Sequence, residues 1–165
     1  MSTTVEHLEA GRLCLDVCWE KNLVRRLRLG WGGTGTTDTR LSDMGKSLLA
    51  ALQGYARGQK TDWPDLPLDW DRLSPFSRQV LQKLQREVGQ GHVVSYGELA
   101  ALAGNPKAAR AVGRALGANP WPLVVPCHRV IGAGGALTGF TNPGGLELKS
   151  YLLELEGAAG SSSRK

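Results

Sequence analysis

The sequence predicts a small α/β N-terminal domain over residues 1–73, followed by a mostly α-helical, winged-helix-like domain over residues 74–157. Three observations carry this. Apolar and charged residues mix, with partial period-two alternation, on either side of Lys21-Asn22, which reads as strands over 11–19 and 23–31. Ser74-Pro75 places a hydroxyl cap before a Pro at the first helical position, a helix-start pair that opens a new unit. Beyond it, two short helical stretches flank Gly104-Asn105-Pro106, which makes a helix-turn-helix candidate.

Taken in order, residues 32–37 form a Gly/Thr loop. Helical spacing of Met44, Leu48, Leu49, Leu52 and Tyr55 predicts a helix over 42–57 with Ser42 as its N-cap. Pro64 and Pro67, set among acids and Trps, make 61–73 read as a linker. Phe76, Val80, Leu81 and Leu84 line one face of the next helix, which Gly89 and Gly91 end. Short helices follow over 96–103 and 107–118. A loop and hairpin are expected over 124–140, and a closing helix over 144–156. Residues 158–165 contain Gly160-Ser161-Ser162-Ser163 and read as a disordered tail.

Hydrophobic content of 41% is that of a globular chain. No apolar run approaches the roughly 18 residues of a membrane span, so no membrane partner is expected. Three cysteines, Cys14, Cys18 and Cys127, show no disulfide pattern, which fits a reducing cytoplasm. Cys14 and Cys18, with His7 and His92, are the only N-terminal zinc candidates. Their spacing lacks the paired pattern of structural zinc, so core packing is expected and no metal. Net charge is +5. No acid occurs between Glu98 and Glu147, whereas Lys107, Arg110, Arg114 and Arg129 do, a basic stretch of the kind that faces nucleic acid.

The densest chemistry lies in Pro126-Cys127-His128-Arg129-Val130. A basic neighbour raises the thiolate fraction of a cysteine and makes it a nucleophile. In an extended segment, however, Cys127 and His128 would point to opposite faces, so a turn or a bridging water has to connect them. On these residues alone, a buried structural Cys beside a surface His is an equal reading.

Surrounding motifs break the tie. Ser95-Tyr96-Gly97-Glu98-Leu99, Asn105-Pro106-Lys107-Ala108-Ala109-Arg110-Ala111-Val112-Gly113, Asn119-Pro120, the Cys127 motif, Gly144-Gly145-Leu146, Lys149 and Glu156-Gly157 fall in one order over residues 74–157. This half of the chain resembles the 6-O-alkylguanine-DNA alkyltransferase family. The resemblance implies a ribonuclease-H-like N-terminal fold and a C-terminal domain carrying DNA binding and chemistry. It implies stoichiometric, irreversible transfer of an alkyl group from guanine oxygen in duplex DNA to Cys127. No cofactor is implied, and the chain is expected to act as a monomer in the cytoplasm, or in the nucleus of a eukaryote. His128 is then the general base, acting through a water. Glu156 orients it and Asn119 braces the loop. Tyr96 donates to a purine ring nitrogen, Pro122 and Phe140 wall the pocket, and backbone at Val130 and Thr141 contacts the base. Arg110 fills the space left by the flipped nucleotide. Ala111 and Gly113 keep that helix small for minor-groove approach, and Arg114 and Arg129 add contacts to DNA.

Some residues depart from the family pattern. Phe140 stands where Tyr is common, the 141–143 loop is about two residues longer, and Trp121 replaces an aliphatic residue. Trp121 is expected to pack under the loop. Two other readings compete: a lesion binder without chemistry, which Cys127 argues against, and a winged-helix regulator, which the Cys, His, Glu, Tyr and Asn set argues against.

Overall fold

β1 (Thr3–Ala10), β2 (Leu13–Glu20) and β3 (Leu23–Trp31) form an antiparallel meander in the computed structural model, which describes residues 3–33 and 35–158. β1 is an addition to the two expected strands. Its segment mixes Thr, Glu and His with Val5 and Leu8, and pairing with β2 from Thr3↔Glu20 to Ala10↔Leu13 makes it a strand. Lys21 and Asn22, both at positive φ (53° and 66°), form the tight β2–β3 turn, a backbone that matches strand twist. Leu13, Leu15 and Val17 alternate into the core against Leu48, Leu52 and Tyr55 of α1 (Asp43–Ala56). Ser42 caps α1 as expected, its Oγ accepting from the Gly45 N–H at 3.0 Å.

The opposite β2 face carries Cys14 and Cys18. Both are half-buried and lie outside the core, a correction to the expected core packing that follows from their alternation with Leu13, Leu15 and Val17. The 61–73 segment is also more than a linker. Leu66 and Leu68 are buried, Leu68 bridges Val24 of the β3 edge, and Trp70–Arg72 form a 3-10 turn.

α2 (Pro75–Glu87) begins at the Ser74 cap with Pro75 in its first turn. α3 (Tyr96–Leu102) starts with a capping box in which Ser95 and Glu98 satisfy each other's backbone N–H groups. α4 (Ala109–Gly117) packs across α2 and α3. The hairpin expected over 124–140 is absent. Cys127–Arg129 form a 3-10 turn, and β5 (Val130–Ile131) pairs in parallel with β4 (Val94–Ser95). The non-local partner, before α3, takes the hydrogen bonds that a local hairpin would have used. α5 (Gly145–Leu155) closes the chain. The expected tail lies almost wholly outside the described residues. Among the described residues, no helix is long and apolar enough to cross a membrane.

Candidate active site

The loop ahead of Cys127 is built by Asn119 and two prolines. Asn119 Oδ1 accepts from the Trp121 N–H at 3.0 Å, and its Nδ2 donates to the Val125 carbonyl at 3.0 Å. This is an Asx-type closure of a turn that Pro120 and Pro122 keep out of helix. Trp121 is fully buried and its indole N–H donates to the Val24 carbonyl at 2.9 Å, so it packs under the loop as expected. The Leu27 N–H donates to the Pro120 carbonyl at 2.9 Å. The reactive loop is therefore tied to β3.

After Pro126 the chain turns instead of extending. About three residues per turn in a 3-10 segment set successive side chains roughly 120° apart, so Cys127 and His128 need not face opposite ways. Both are buried. His128 Nε2 lies 2.6 Å from Glu156 Oε2. Arg129 Nε donates to Glu156 Oε1 at 2.8 Å and Nη2 to Oε2 at 3.1 Å, while Nη1 donates to the Val88 carbonyl at 2.8 Å. The Tyr55 hydroxyl donates to Glu156 Oε2 at 2.5 Å. Glu156, at the C-cap of α5, is thus a buried carboxylate, where a helix-end glutamate is ordinarily exposed.

These contacts decide the protonation states. Burial alone would raise the Glu156 carboxyl, but the imidazole and the Arg129 guanidinium outweigh it and hold it well below the usual carboxylate range. Burial lowers the His128 pKa more than Glu156 raises it, so the ring rests neutral. Facing an ionised carboxylate, Nε2 carries the proton. Nδ1 is left as the basic lone pair, and it is buried without a hydrogen-bond partner among the described residues. Burial also raises the Cys127 thiol. A hydrogen bond from Asn119 and the charge of Lys149 pull it back in part. The resting pair is therefore neutral thiol and neutral imidazole, the states from which a general base acts.

Lys149 is a buried cation whose pKa is lowered to about 8 by desolvation. Its Nζ donates to the Val130 and Thr138 carbonyls, each at 2.7 Å. The Tyr96 hydroxyl donates to the same Thr138 carbonyl at 3.2 Å. Lys149 and Tyr96 thus clamp the 138–140 loop beside the thiol. Sequence reasoning assigned no role to Lys149 or Tyr55. A lysine within the apolar Leu148/Leu152 stripe of α5 was the available signal for the first, whereas Tyr55 reads as ordinary core in its own helix.

The remaining expected residues divide by position. Pro122 and Val130 are buried, five residues before and three after Cys127 in the chain. Phe140 packs partly buried against the core, and Thr141 Oγ1 donates to the Gly117 carbonyl at 3.2 Å, joining its loop to the end of α4. Gly113 of α4 lies against the Tyr96 ring, and Ala111 is half-buried. Arg110 and Arg114 are exposed on α4. Arg129 departs from expectation. Its side chain belongs to the buried ion pair with Glu156, because that carboxylate offers it two hydrogen bonds and Val88 a third, and it is not on the basic surface.

Residues 75–158 match the model of the DNA-binding domain of 6-O-methylguanine DNA methyltransferase. The chain belongs to the 6-O-methylguanine DNA methyltransferase family. It is 55% identical over 175 residues to the methylated-DNA--protein-cysteine methyltransferase of Cricetulus griseus, covering 95% of this chain and 82% of that one. The match to the Homo sapiens methyltransferase of the same name is 56% identical over 82 residues, half of this chain and only 39% of the relative's length. Among solved members of the methyltransferase family, Mycobacterium tuberculosis O6-methylguanine methyltransferase superposes with a TM-score of 0.75 at 33% identity, covering 96% of this chain and 94% of that one. A structure of Mycobacterium tuberculosis OGT in complex with DNA gives a TM-score of 0.72 at 36% identity, covering 93% of this chain and 92% of that one.

Proposed function

We propose that this chain repairs 6-O-alkylguanine in duplex DNA by moving the alkyl group, once and irreversibly, onto Cys127. The observation that carries the reading is the buried Cys127–His128–Glu156 set, with Nδ1 of a neutral imidazole held free as a base. The thiol proton passes to His128, through a water, as sulfur attacks the alkyl carbon. A carbon–sulfur bond forms and the carbon–oxygen bond to guanine breaks. Glu156 balances the imidazolium, so proton transfer creates a thiolate–imidazolium pair without adding net charge to the interior. Guanine leaves with a hydrogen bond from Tyr96, which disperses the charge that develops on the purine. Asn119 braces the loop, and its amide favours the thiolate. Pro122 and Phe140 wall the alkyl group, and backbone at Val130 and Thr141 holds the base.

The target atom is stacked inside the duplex, so the nucleotide is extruded, and Arg110 fills the gap. α4 approaches from the minor groove, where Ala111 and Gly113 let its backbone close in and Arg114 meets a phosphate. The same reading takes residues 1–73 as a ribonuclease-H-like domain and 74–157 as a winged-helix-like domain, acting as a monomer on DNA in the cytoplasm or nucleus. A thioether is too poor a leaving group for water to restore the thiol. Cys127→Ser is therefore expected to lose all transfer while binding duplex DNA as the parent does. Transfer surviving in Cys127→Ser refutes the assignment.

A further inference from the structure

The sheet itself carries a basic track that the proposed chemistry does not use. In β3 the core residues are Val24, Leu27 and Leu29, a spacing of three and then two that no regular strand can put on one face. A bulge resolves this. Trp19 pairs with Val24 and Cys18 with Arg26, leaving Arg25 as the extra residue. The bulge keeps the core face in phase and displays Arg25, Arg26 and Arg28 together, all exposed.

These arginines, with Arg72, line one side of a groove of about 450 Å³. Its other side is Asn119, Pro120 and Pro122 of the reactive loop, the end of α4, and residues 141–143. No acidic residue lines it among the described residues. Arg25 and Arg72 share Glu20, at 3.1 and 3.5 Å. Arg26 and Arg28 form no ion pair among the described residues. Asp16, which faces Arg28 across the strands, is engaged with His7 at 2.5 Å. The groove therefore begins at α4, passes the reactive loop and ends on two free guanidiniums. The Leu27–Pro120 hydrogen bond holds it in fixed relation to the active site.

We propose that Arg26 and Arg28 bind backbone phosphates of the same duplex that α4 engages, so that the N-terminal sheet extends the DNA footprint. This rests on the DNA-repair reading above. A duplex flank is favoured over a small anion because the groove reaches Gly117 and Ala118 at the end of α4, the helix that carries the exposed Arg110 and Arg114.

The test compares the parent chain with R26Q/R28Q and R26K/R28K for binding to undamaged duplex across a salt series, and for reaction with free methylated guanine base. Each phosphate contact contributes about 0.9 to the slope of log affinity against log salt. R26Q/R28Q is expected to flatten that slope by about two and R26K/R28K to keep it. Between about 50 and 200 mM salt, the parent then loses roughly tenfold more affinity than R26Q/R28Q. Reaction with free base is expected to stay unchanged in both, which also shows that they are folded. An unchanged slope in R26Q/R28Q overturns the proposal, as does a change confined to self-association of the free protein. If the parent itself shows no salt-dependent binding to duplex, the DNA-repair reading fails instead.

Discussion

Replacing Glu156 by Gln keeps the side chain's volume and removes its charge. In the native site that charge faces Arg129 at 2.8 Å, His128 at 2.6 Å and the Tyr55 hydroxyl at 2.5 Å, with a side chain that is fully buried. After the change the Arg129 guanidinium remains in the interior without its counter-ion. Breaking a buried pair in this way costs about 3–5 kcal/mol. For a chain of this size that is a fall in Tm of about 6–20 °C, at roughly 2–4 °C per kcal/mol. Transfer suffers separately. An uncompensated Arg129 makes His128 a weaker base, and a Gln amide can turn its N–H groups toward the imidazole and reverse the tautomer. Acid–base assistance of this kind is worth on the order of 10²- to 10⁴-fold, so single-turnover labelling is expected to slow by at least the lower figure. Thermal unfolding and the rate of alkyl labelling, measured together, read both effects. Adding Arg129→Met to Glu156→Gln removes the stranded charge, so the double variant is expected to lose less stability than the two single losses combined. Additive losses, or a Glu156→Gln protein within about 1 kcal/mol of the parent, would refute the buried-pair argument.

Tyr55→Phe removes one hydrogen bond to a charged acceptor and is expected to cost about 1.5–3 kcal/mol, read by denaturant unfolding; a neutral result would mean that Tyr55 does not hold Glu156. Gly139 has φ 67°, and a Cβ there would lie 2.7 Å from the Tyr96 hydroxyl. Gly139→Ala is therefore expected to displace Tyr96 and slow transfer while leaving far-ultraviolet circular dichroism intact, and an unchanged rate would remove Tyr96 from the site. His7, paired with Glu9 and Asp16, has its pKa raised above 6.5, the Glu9 hydrogen bond being the largest cause. Its stabilisation is complete below pH 6.5 and is lost as pH rises through the raised value. His7→Gln should flatten stability over that window, and identical pH profiles would contradict the pairing.

Much of the chain could be read locally, because caps and turns are local chemistry. Ser42, Ser74-Pro75 and the Ser95/Glu98 box mark helix starts that the fold keeps. What escaped was set by partners distant in sequence. β1 is a strand because β2 lies beside it. Residues 61–73 are ordered because Leu66 and Leu68 fill the β3 edge. The hairpin after Cys127 gives way to β4, some 35 residues upstream. Within the candidate site, the motif located Cys127 and His128 but not the charge balance around them. Arg129 and Glu156 look like surface residues until they meet. Tyr55 reaches Glu156 across 101 positions. The arginines of β3 have no sequence signature of a shared surface, because no local pattern reveals a bulge that gathers them on one side.

Intact-protein mass spectrometry decides whether one sulfur takes up one alkyl group irreversibly. The chain is mixed with an excess of duplex carrying 6-O-methylguanine, sampled to completion and then digested. The expected result is a plateau at one methyl group per chain, located on the peptide containing Cys127, with repaired guanine formed in equal amount and no further reaction on adding fresh substrate. Repair continuing well beyond one lesion per chain, or a methyl group found on Cys14 or Cys18 in place of Cys127, would contradict it.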